Sequence, residues 1–150
     1  VDLSLYAPRQ AWDVLSEDSD LVNRLTQDPD PFRIYSPSYS LPQTAAVKYH
    51  HAYSGGLMEH SVKVAQNCIE ISDNYSELNR DLLIAGALLH EIGKTEEYYT
   101  GLTIKITEEG NLLGHIAMGY GMVRERRNNI PDFPGKTAKE LLHIIISHHG

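Results

Sequence analysis

An imidazole and a carboxylate stand side by side near the middle of the chain, at the end of an apolar run. Residues 87–94 read ALLHEIGK, so His90 and Glu91 follow hydrophobic side chains, and Gly93 and Lys94 come shortly after. One interpretation is a helix end that stops at Gly93, with Lys94 facing the last carbonyls. A zinc-protease signature fails, because His-Glu-x-x-His needs a histidine where Lys94 stands. The third interpretation is part of a metal site.

Histidines elsewhere in the chain favour the metal site. An isolated charge at the end of a buried helix is costly unless it is paired or coordinated. Other predicted helices carry His60, His115, His148 and His149 near their ends. Helical bundles build metal sites in this way, with each helix contributing an imidazole or a carboxylate to one place. Imidazole with carboxylate suits Mn, Fe, Co, Ni or Zn, and a shared carboxylate such as Glu91 can bridge two ions.

Hydrophobic periodicity predicts the elements that position these side chains. Helices are expected at about residues 10–27, 57–74, 79–92, 114–128 and 137–149. The third is apolar nearly all round, so it should be central and buried. Alternation at residues 102–106, followed by turn signals at 109–111, predicts a small β-hairpin near residues 102–113. The predicted fold class is therefore all-α, a mainly helical bundle with one small hairpin.

Composition and charge limit the classes of partner. A chain of 150 residues fits one domain, and no apolar run approaches the roughly 20 residues of a membrane-spanning helix. The net charge of −7 argues against a broad basic surface for duplex DNA, and we interpret Arg124, Arg126 and Arg127 as a solvated helix face. With a single cysteine, no internal disulfide is possible, and a cytoplasmic location is expected, with no membrane partner.

Four segments carry a resemblance to a known family. They read HHAYSGGLMEH (50–60), NRDLLIAGALLHEIGK (79–94), EEGNLLGHI (108–116) and LLHIIISHHG (141–150). Together they resemble the HD-domain superfamily of metal-dependent phosphohydrolases, and more closely its YhaM-type branch of 3'-to-5' exoribonucleases, which join an OB-fold to an HD domain. The resemblance implies an HD domain over residues 50–150. Residues 1–49 would then be an N-terminal helix and a proline-rich connection.

The resemblance also implies roles for individual residues. His60, His90 and Glu91 would form one metal position, and Glu91 would share a second position with three further imidazoles, those of His115, His148 and His149. One or two divalent ions are expected, with Mn, Fe, Co, Ni, Mg and Zn as candidates, and they would activate a hydroxide that attacks phosphorus. Lys94 would hold a phosphate oxygen. His51 and Tyr53 would line the substrate cleft.

Two departures from the family pattern bear on activity. The usual His-Asp pair is His90-Glu91 here, and the last metal-binding aspartate of the family lies downstream of the His-His-Gly at which this chain stops. We therefore expect an HD domain truncated at its C-terminus. The expected function is a divalent-metal phosphodiesterase acting on nucleotides or on the 3' end of single-stranded RNA. The alternatives are a hydrolase of free nucleotides or cyclic dinucleotides, and a degenerate HD domain that binds a nucleotide or a partner without turnover. The oligomeric state stays open.

Overall fold

The computed structural model describes residues 8–17, 19–26, 56–100 and 104–150. Its elements are α1 (Pro8–Glu17), α2 (Asp20–Thr26), α3 (Gly56–Ser72), α4 (Arg80–Leu89), α5 (Lys94–Glu97), β1 (Tyr98–Thr100), β2 (Ile104–Ile106), α6 (Glu108–Asn128) and α7 (Gly135–Ser147). The predicted class, mainly helical with one small hairpin, is confirmed. His51, Tyr53 and the proline-rich connection lie outside the described residues. Within the described part, no helix has both the length and the apolar character needed to cross a membrane.

Helix α4 is the centre of the structure, as its all-round apolar pattern predicted. It begins where the Asn79 side chain accepts a hydrogen bond of 3.0 Å from the backbone N–H of Leu82, which caps the helix. Ile84 and Leu88 are completely buried, as α4 packs against α3 on one side and α7 on another, and also contacts α1 and α2. Full burial of each such side chain contributes roughly 1.5–3 kcal/mol to stability. Helix α4 therefore carries the residues at its C-terminal end into the interior.

The first predicted helix is two helices in the structure. Ser19 precedes α2, and its hydroxyl accepts a hydrogen bond of 3.3 Å from the N–H of Val22, so a new helix starts there. The apolar faces of α1 and α2 join the same hydrophobic core as α3, α4, α6 and α7. The interpretation of Arg126 as part of a solvated face is wrong. Arg126 is buried, and its Nε donates a hydrogen bond of 3.1 Å to the carbonyl of Leu25, which links α6 to α2.

The hairpin pairs differently from its prediction. Strands β1 and β2 are antiparallel, with Tyr98 opposite Ile106, so β2 pairs with the strand before it. Residues 109–111, predicted as the turn, lie in α6 instead. The Thr107 hydroxyl caps this helix by accepting a hydrogen bond of 2.9 Å from the Gly110 N–H. Gly110 is needed for close packing, since a Cβ there would lie 2.6 Å from the Glu97 carbonyl oxygen.

Gly93 has a packing role, and its interpretation as a helix stop is wrong. Helix α4 ends earlier, at Leu89, and Gly93 has right-handed angles, φ −62° and ψ −20°. A Cβ on Gly93 would lie 1.9 Å from the His115 carbonyl oxygen and 2.6 Å from the Gly119 backbone nitrogen. The missing side chain lets the α4–α5 connection touch the backbone of α6. This contact sets the distance between the His90-Glu91 pair and His115.

We predict that Gly93→Ala lowers the free energy of unfolding by about 3 kcal/mol or more, because the added methyl meets backbone atoms that cannot rotate away. The matched control is Gly121→Ala in α6, the helix that Gly93 contacts, where a Cβ meets nothing within 4 Å. That control should be neutral, or stabilising by up to about 1 kcal/mol. Urea denaturation followed by circular dichroism measures both changes. Equal stability of the two variants would contradict the close approach.

Candidate metal centre

Helical segments from four parts of the chain bring imidazoles and carboxylates to one place. Within the described residues, two groups have ligand atoms within 4.8 Å of one another, and Glu91 belongs to both. One group contains His60, His90 and Glu91; the other contains Glu91, His115, His148 and His149. These are the six side chains that sequence analysis named as candidate ligands. Their convergence makes this the candidate metal centre.

Glu91 lies at the junction of the two groups. Its side chain is only 5% exposed, and its Oε1 accepts a hydrogen bond of 2.7 Å from Lys94 Nζ. Its Oε2 is 3.2 Å from His115 Nε2 and 4.0 Å from His148 Nε2. Burial by itself raises the pKa of Glu91, but the hydrogen bond and charge of Lys94, helped by the nearby imidazoles, lower it overall. The centre therefore holds an ionised carboxylate.

Two imidazoles are fixed by backbone carbonyls of their own helices. His90 Nδ1 donates a hydrogen bond of 2.8 Å to the Ala87 carbonyl, and His148 Nδ1 donates one of 2.7 Å to the Ile145 carbonyl. In the neutral form of either ring, Nε2 then carries the lone pair, and His90 Nε2 lies 3.1 Å from His60 Nε2. Burial is the main cause that lowers the pKa of His90 to about 4. At neutral pH this imidazole is uncharged, the form that binds a metal.

His115 is placed by the backbone and by a carboxylate behind it. Helix α6 is broken at Gly114, whose φ of 70° and ψ of 159° suit only glycine, so the helix changes direction just before His115. The His115 N–H donates a hydrogen bond of 3.2 Å to Glu97 Oε1, and the ring Nδ1 lies 3.4 Å from the same oxygen. The other ring nitrogen, Nε2, therefore faces Glu91. Burial lowers the pKa of His115, against the opposing charges of Glu91 and Glu97.

Glu97 is a functional candidate that sequence analysis missed. It is 8% exposed, and its carboxylate holds the ring nitrogen of His115 that faces away from the candidate ions. Carboxylates in this position fix the orientation and tautomer of metal-binding histidines. Burial and the neighbouring Glu97 charge raise the pKa of Tyr98 to about 12. Nothing in KTEEYY separates Glu97 from the exposed Glu96, since only the contact with His115, eighteen residues away, distinguishes the two.

The donor atoms fit one divalent ion or two ions that share Glu91. Glu91 Oε2 and His148 Nε2 are buried without a hydrogen-bond partner among the described residues. Two ligands that are each about 2.1 Å from one ion lie roughly 3–4 Å apart. The separations of 3.1 Å between His60 and His90 and 3.2 Å between His115 and His149, both measured between Nε2 atoms, match that spacing. A set of imidazole nitrogens and one carboxylate suits Mn, Fe, Co, Ni or Zn.

Lys94 has a partner that sequence analysis did not consider. It begins α5, and its ammonium pairs with Glu91 Oε1 instead of facing only helix carbonyls or solvent. Its side chain is 12% exposed, so water screens this charge only weakly. The Lys94 ammonium therefore places a positive charge at the edge of the candidate metal centre.

Comparisons with known proteins agree with this arrangement. The family model for the HD domain matches residues 57–150. The relatives include proteins named 3'-5' exoribonuclease YhaM from Bacillus subtilis, 40% identical over 108 residues, and from Listeria monocytogenes, 38% identical over 109 residues. Each alignment covers 71% of this chain but only 33% and 34% of the relative, so the chain spans about a third of their length. No solved structure matches the chain significantly. The resemblance found in the sequence is confirmed, and the chain belongs to the HD domain family.

Proposed function

We propose that the protein is a divalent-metal-dependent phosphohydrolase that cleaves phosphodiester bonds at the 3' end of single-stranded RNA. The observation that carries the metal-dependent chemistry is the buried carboxylate of Glu91, shared by two groups of imidazoles. The choice of RNA is supported by the relatives, which are named 3'-5' exoribonucleases. A cytoplasmic location stays a prediction.

Each of the two groups of ligands would hold one ion. His60, His90 and Glu91 would hold one ion, and Glu91 would hold a second together with His115, His148 and His149. When bound, such ions supply an activated water and neutralise phosphate charge. Because backbone carbonyls already engage Nδ1 of His90 and of His148, each of these rings presents its Nε2 to the centre. Glu97 keeps His115 turned toward the centre.

Lys94 would act on the substrate. The Lys94 ammonium donates a hydrogen bond of 2.7 Å to Glu91 Oε1. A phosphate oxygen at the metal centre would therefore compete with Glu91 Oε1 for Lys94. Glu91 could release Lys94, because a divalent ion held by the carboxylate would compensate the negative charge of Glu91. Lys94 would then stabilise the negative charge that grows on a nonbridging phosphate oxygen.

Product analysis tests the proposed function against its competitors. We expect single-stranded RNA labelled at its 5' end to shorten stepwise from the 3' end when Mn²⁺ or another divalent ion is present, with mononucleotides as the products. Hydrolysis of free or cyclic nucleotides alone would favour the small-nucleotide alternative, because the same ligand set can serve another substrate. Full metal occupancy with no turnover of either substrate would support a degenerate domain. The motivation for this hypothesis is that Glu91 is one methylene longer than the aspartate of the usual His-Asp pair.

We predict that Glu91→Gln removes bound metal and lowers activity by about 1,000-fold or more, because the neutral amide cannot provide the shared anionic ligand and several kcal/mol of transition-state stabilisation are lost. Elemental analysis of the purified protein and the RNA assay measure the two effects. The matched control is Glu96→Gln, an exposed residue of α5, which should keep both metal and activity. Full metal content in Glu91→Gln would refute the shared-carboxylate assignment.

We predict that Glu97→Gln weakens metal binding by about 10- to 100-fold, because an amide orients His115 less strongly than a carboxylate does. Titration with Co²⁺ or Mn²⁺ measures the affinity, with Glu96→Gln again as the control. The free energy of unfolding of the metal-free protein should change by less than about 1 kcal/mol. A large loss of stability with unchanged metal affinity would show that Glu97 serves only the fold.

We predict that Lys94→Met keeps its metal and lowers kcat by about 100- to 1,000-fold, because the group that stabilises transition-state charge is removed. Steady-state kinetics with the RNA substrate and elemental analysis check both statements. Lys105→Met, at an exposed position of β2, is the control and should behave as wild type. Loss of metal in Lys94→Met would mean that Lys94 mainly holds Glu91 in place.

A further inference from the structure

A cleft of about 410 Å³ opens beside the metal centre, between α3, α4 and α7. One end is formed by candidate ligands, among them His60, His90 and His148. The rest is lined by the side chains of Val64, Cys68, Leu83, Ala87 and Ile144 and by the backbone of Gly86. None of these carries a charge, so the cleft is charged at one end and apolar along the rest. We call the second part the apolar cleft.

The spacing of residues along the helices produces this change of polarity. On α3, Val64 and Cys68 follow His60 by four and eight positions, so they lie on the same face as the histidine. On α7, Ile144 precedes His148 by four positions. Four residues of helix span roughly 6 Å, so the apolar cleft begins about one helical turn from the candidate ligands.

Gly86 sets the width of the apolar cleft on the side of α4 and α7. A Cβ at this position would lie 2.9 Å from Cγ2 of Ile144. Without that methyl, the backbone of α4 approaches α7 closely, and the Ile144 side chain forms part of the cleft wall. The wall therefore comes from packed helices of the core.

The neighbouring metal centre restricts what the apolar cleft can hold. A substrate phosphate at the ions would place the rest of its own nucleotide within one helical turn, which is the scale of the distance from a phosphate to its base. The cleft volume lies within the roughly 300–1,000 Å³ of small-molecule sites, which are mostly apolar with a few polar groups that fix orientation. In a nucleotide, the flat ring of the base has poorly hydrated faces that suit the apolar cleft, and the phosphate suits the metal centre.

We propose that the apolar cleft binds the nucleobase of the 3'-terminal nucleotide whose 5'-phosphate lies at the metal centre, an inference that rests on the proposed function. The aliphatic walls contact the faces of the ring. They offer no strong hydrogen-bond donor or acceptor to its edges, so any of the four bases fits. The site therefore distinguishes a nucleotide from a bare sugar phosphate without reading sequence.

The decisive comparison uses two RNA oligonucleotides that differ only at the 3' end, which carries either adenosine or a stable abasic ribose. The wild-type protein should cleave the terminal adenosine with a kcat/KM about ten- to a hundredfold higher, the scale of contacts between a base and a protein surface. Terminal adenosine, cytidine, guanosine and uridine should differ by only a few-fold. A ratio near one between the adenosine and abasic ends would overturn the proposal.

Variants locate the effect in the apolar cleft. Cys68→Phe should obstruct the cleft and bring the ratio of kcat/KM between the adenosine and abasic ends close to one. Ile144→Ala removes part of the wall and should reduce the same ratio by several-fold. The matched control is Asn67→Phe, beside Cys68 on α3 but exposed, which should keep the wild-type ratio. A wild-type ratio in both cleft variants, with metal content intact, would place the base elsewhere and overturn the proposal.

The single cysteine gives a test that needs no substitution. Cys68 lies in the apolar cleft, so adenosine monophosphate should slow its alkylation by iodoacetamide several-fold, whereas ribose 5-phosphate should not. Equal effects of the two compounds would overturn the proposal even where a variant fails to fold. Absence of hydrolysis on both oligonucleotides would instead refute the proposed function. Turnover of both oligonucleotides at the same rate would be consistent with the proposed function and would refute only the base-binding site.

Discussion

The structure depends on one buried negative charge, the carboxylate of Glu91. Removing an ionised carboxylate from water costs several kcal/mol even after the protein relaxes. The groups around Glu91 must therefore stabilise its charge by a similar amount. Lys94 compensates one oxygen through a direct hydrogen bond. The other oxygen is buried among imidazole nitrogens without a hydrogen-bond partner in the described part of the chain, which is the place a divalent cation would take. Metal binding and the cost of burial are thus two aspects of the same feature.

The backbone around the centre follows from the need to bring α6 close to that carboxylate. Gly93 allows the chain after α4 to touch the His115 carbonyl, and Gly114 turns α6 immediately before His115. Glu97 then holds both the backbone and the ring of the same histidine. Three separate features of the structure therefore fix the position of His115. His90 and His148 are each held instead by a hydrogen bond to a backbone carbonyl three residues earlier in the chain.

Charged and apolar parts of the site share the same helices. Helix α4 is apolar from Leu82 to Leu89, directly before His90 and Glu91, and the buried face of α7 runs through Leu141, Leu142 and Ile145 toward His148. The apolar stretch of each helix therefore leads to candidate metal ligands. In the proposed function, the charged end serves the phosphate. In the further inference, the apolar part beside it serves the base, so one packing arrangement would provide both halves of nucleotide recognition.

The sequence by itself determined the helical class, the central place of α4 and the set of side chains that converge at the candidate metal centre. These follow from local periodicity and from histidines at helix ends, which can be read without knowing the fold. Only the tertiary structure decided that residues 10–27 form two helices, that β2 pairs with β1, that Arg126 is buried and that Glu97 supports His115. The physical reason is that these features depend on contacts between residues that are distant in the sequence. A hydrogen bond such as that between Arg126 and Leu25 joins residues far apart in the chain, and a close approach such as that of Gly93 leaves no periodic trace.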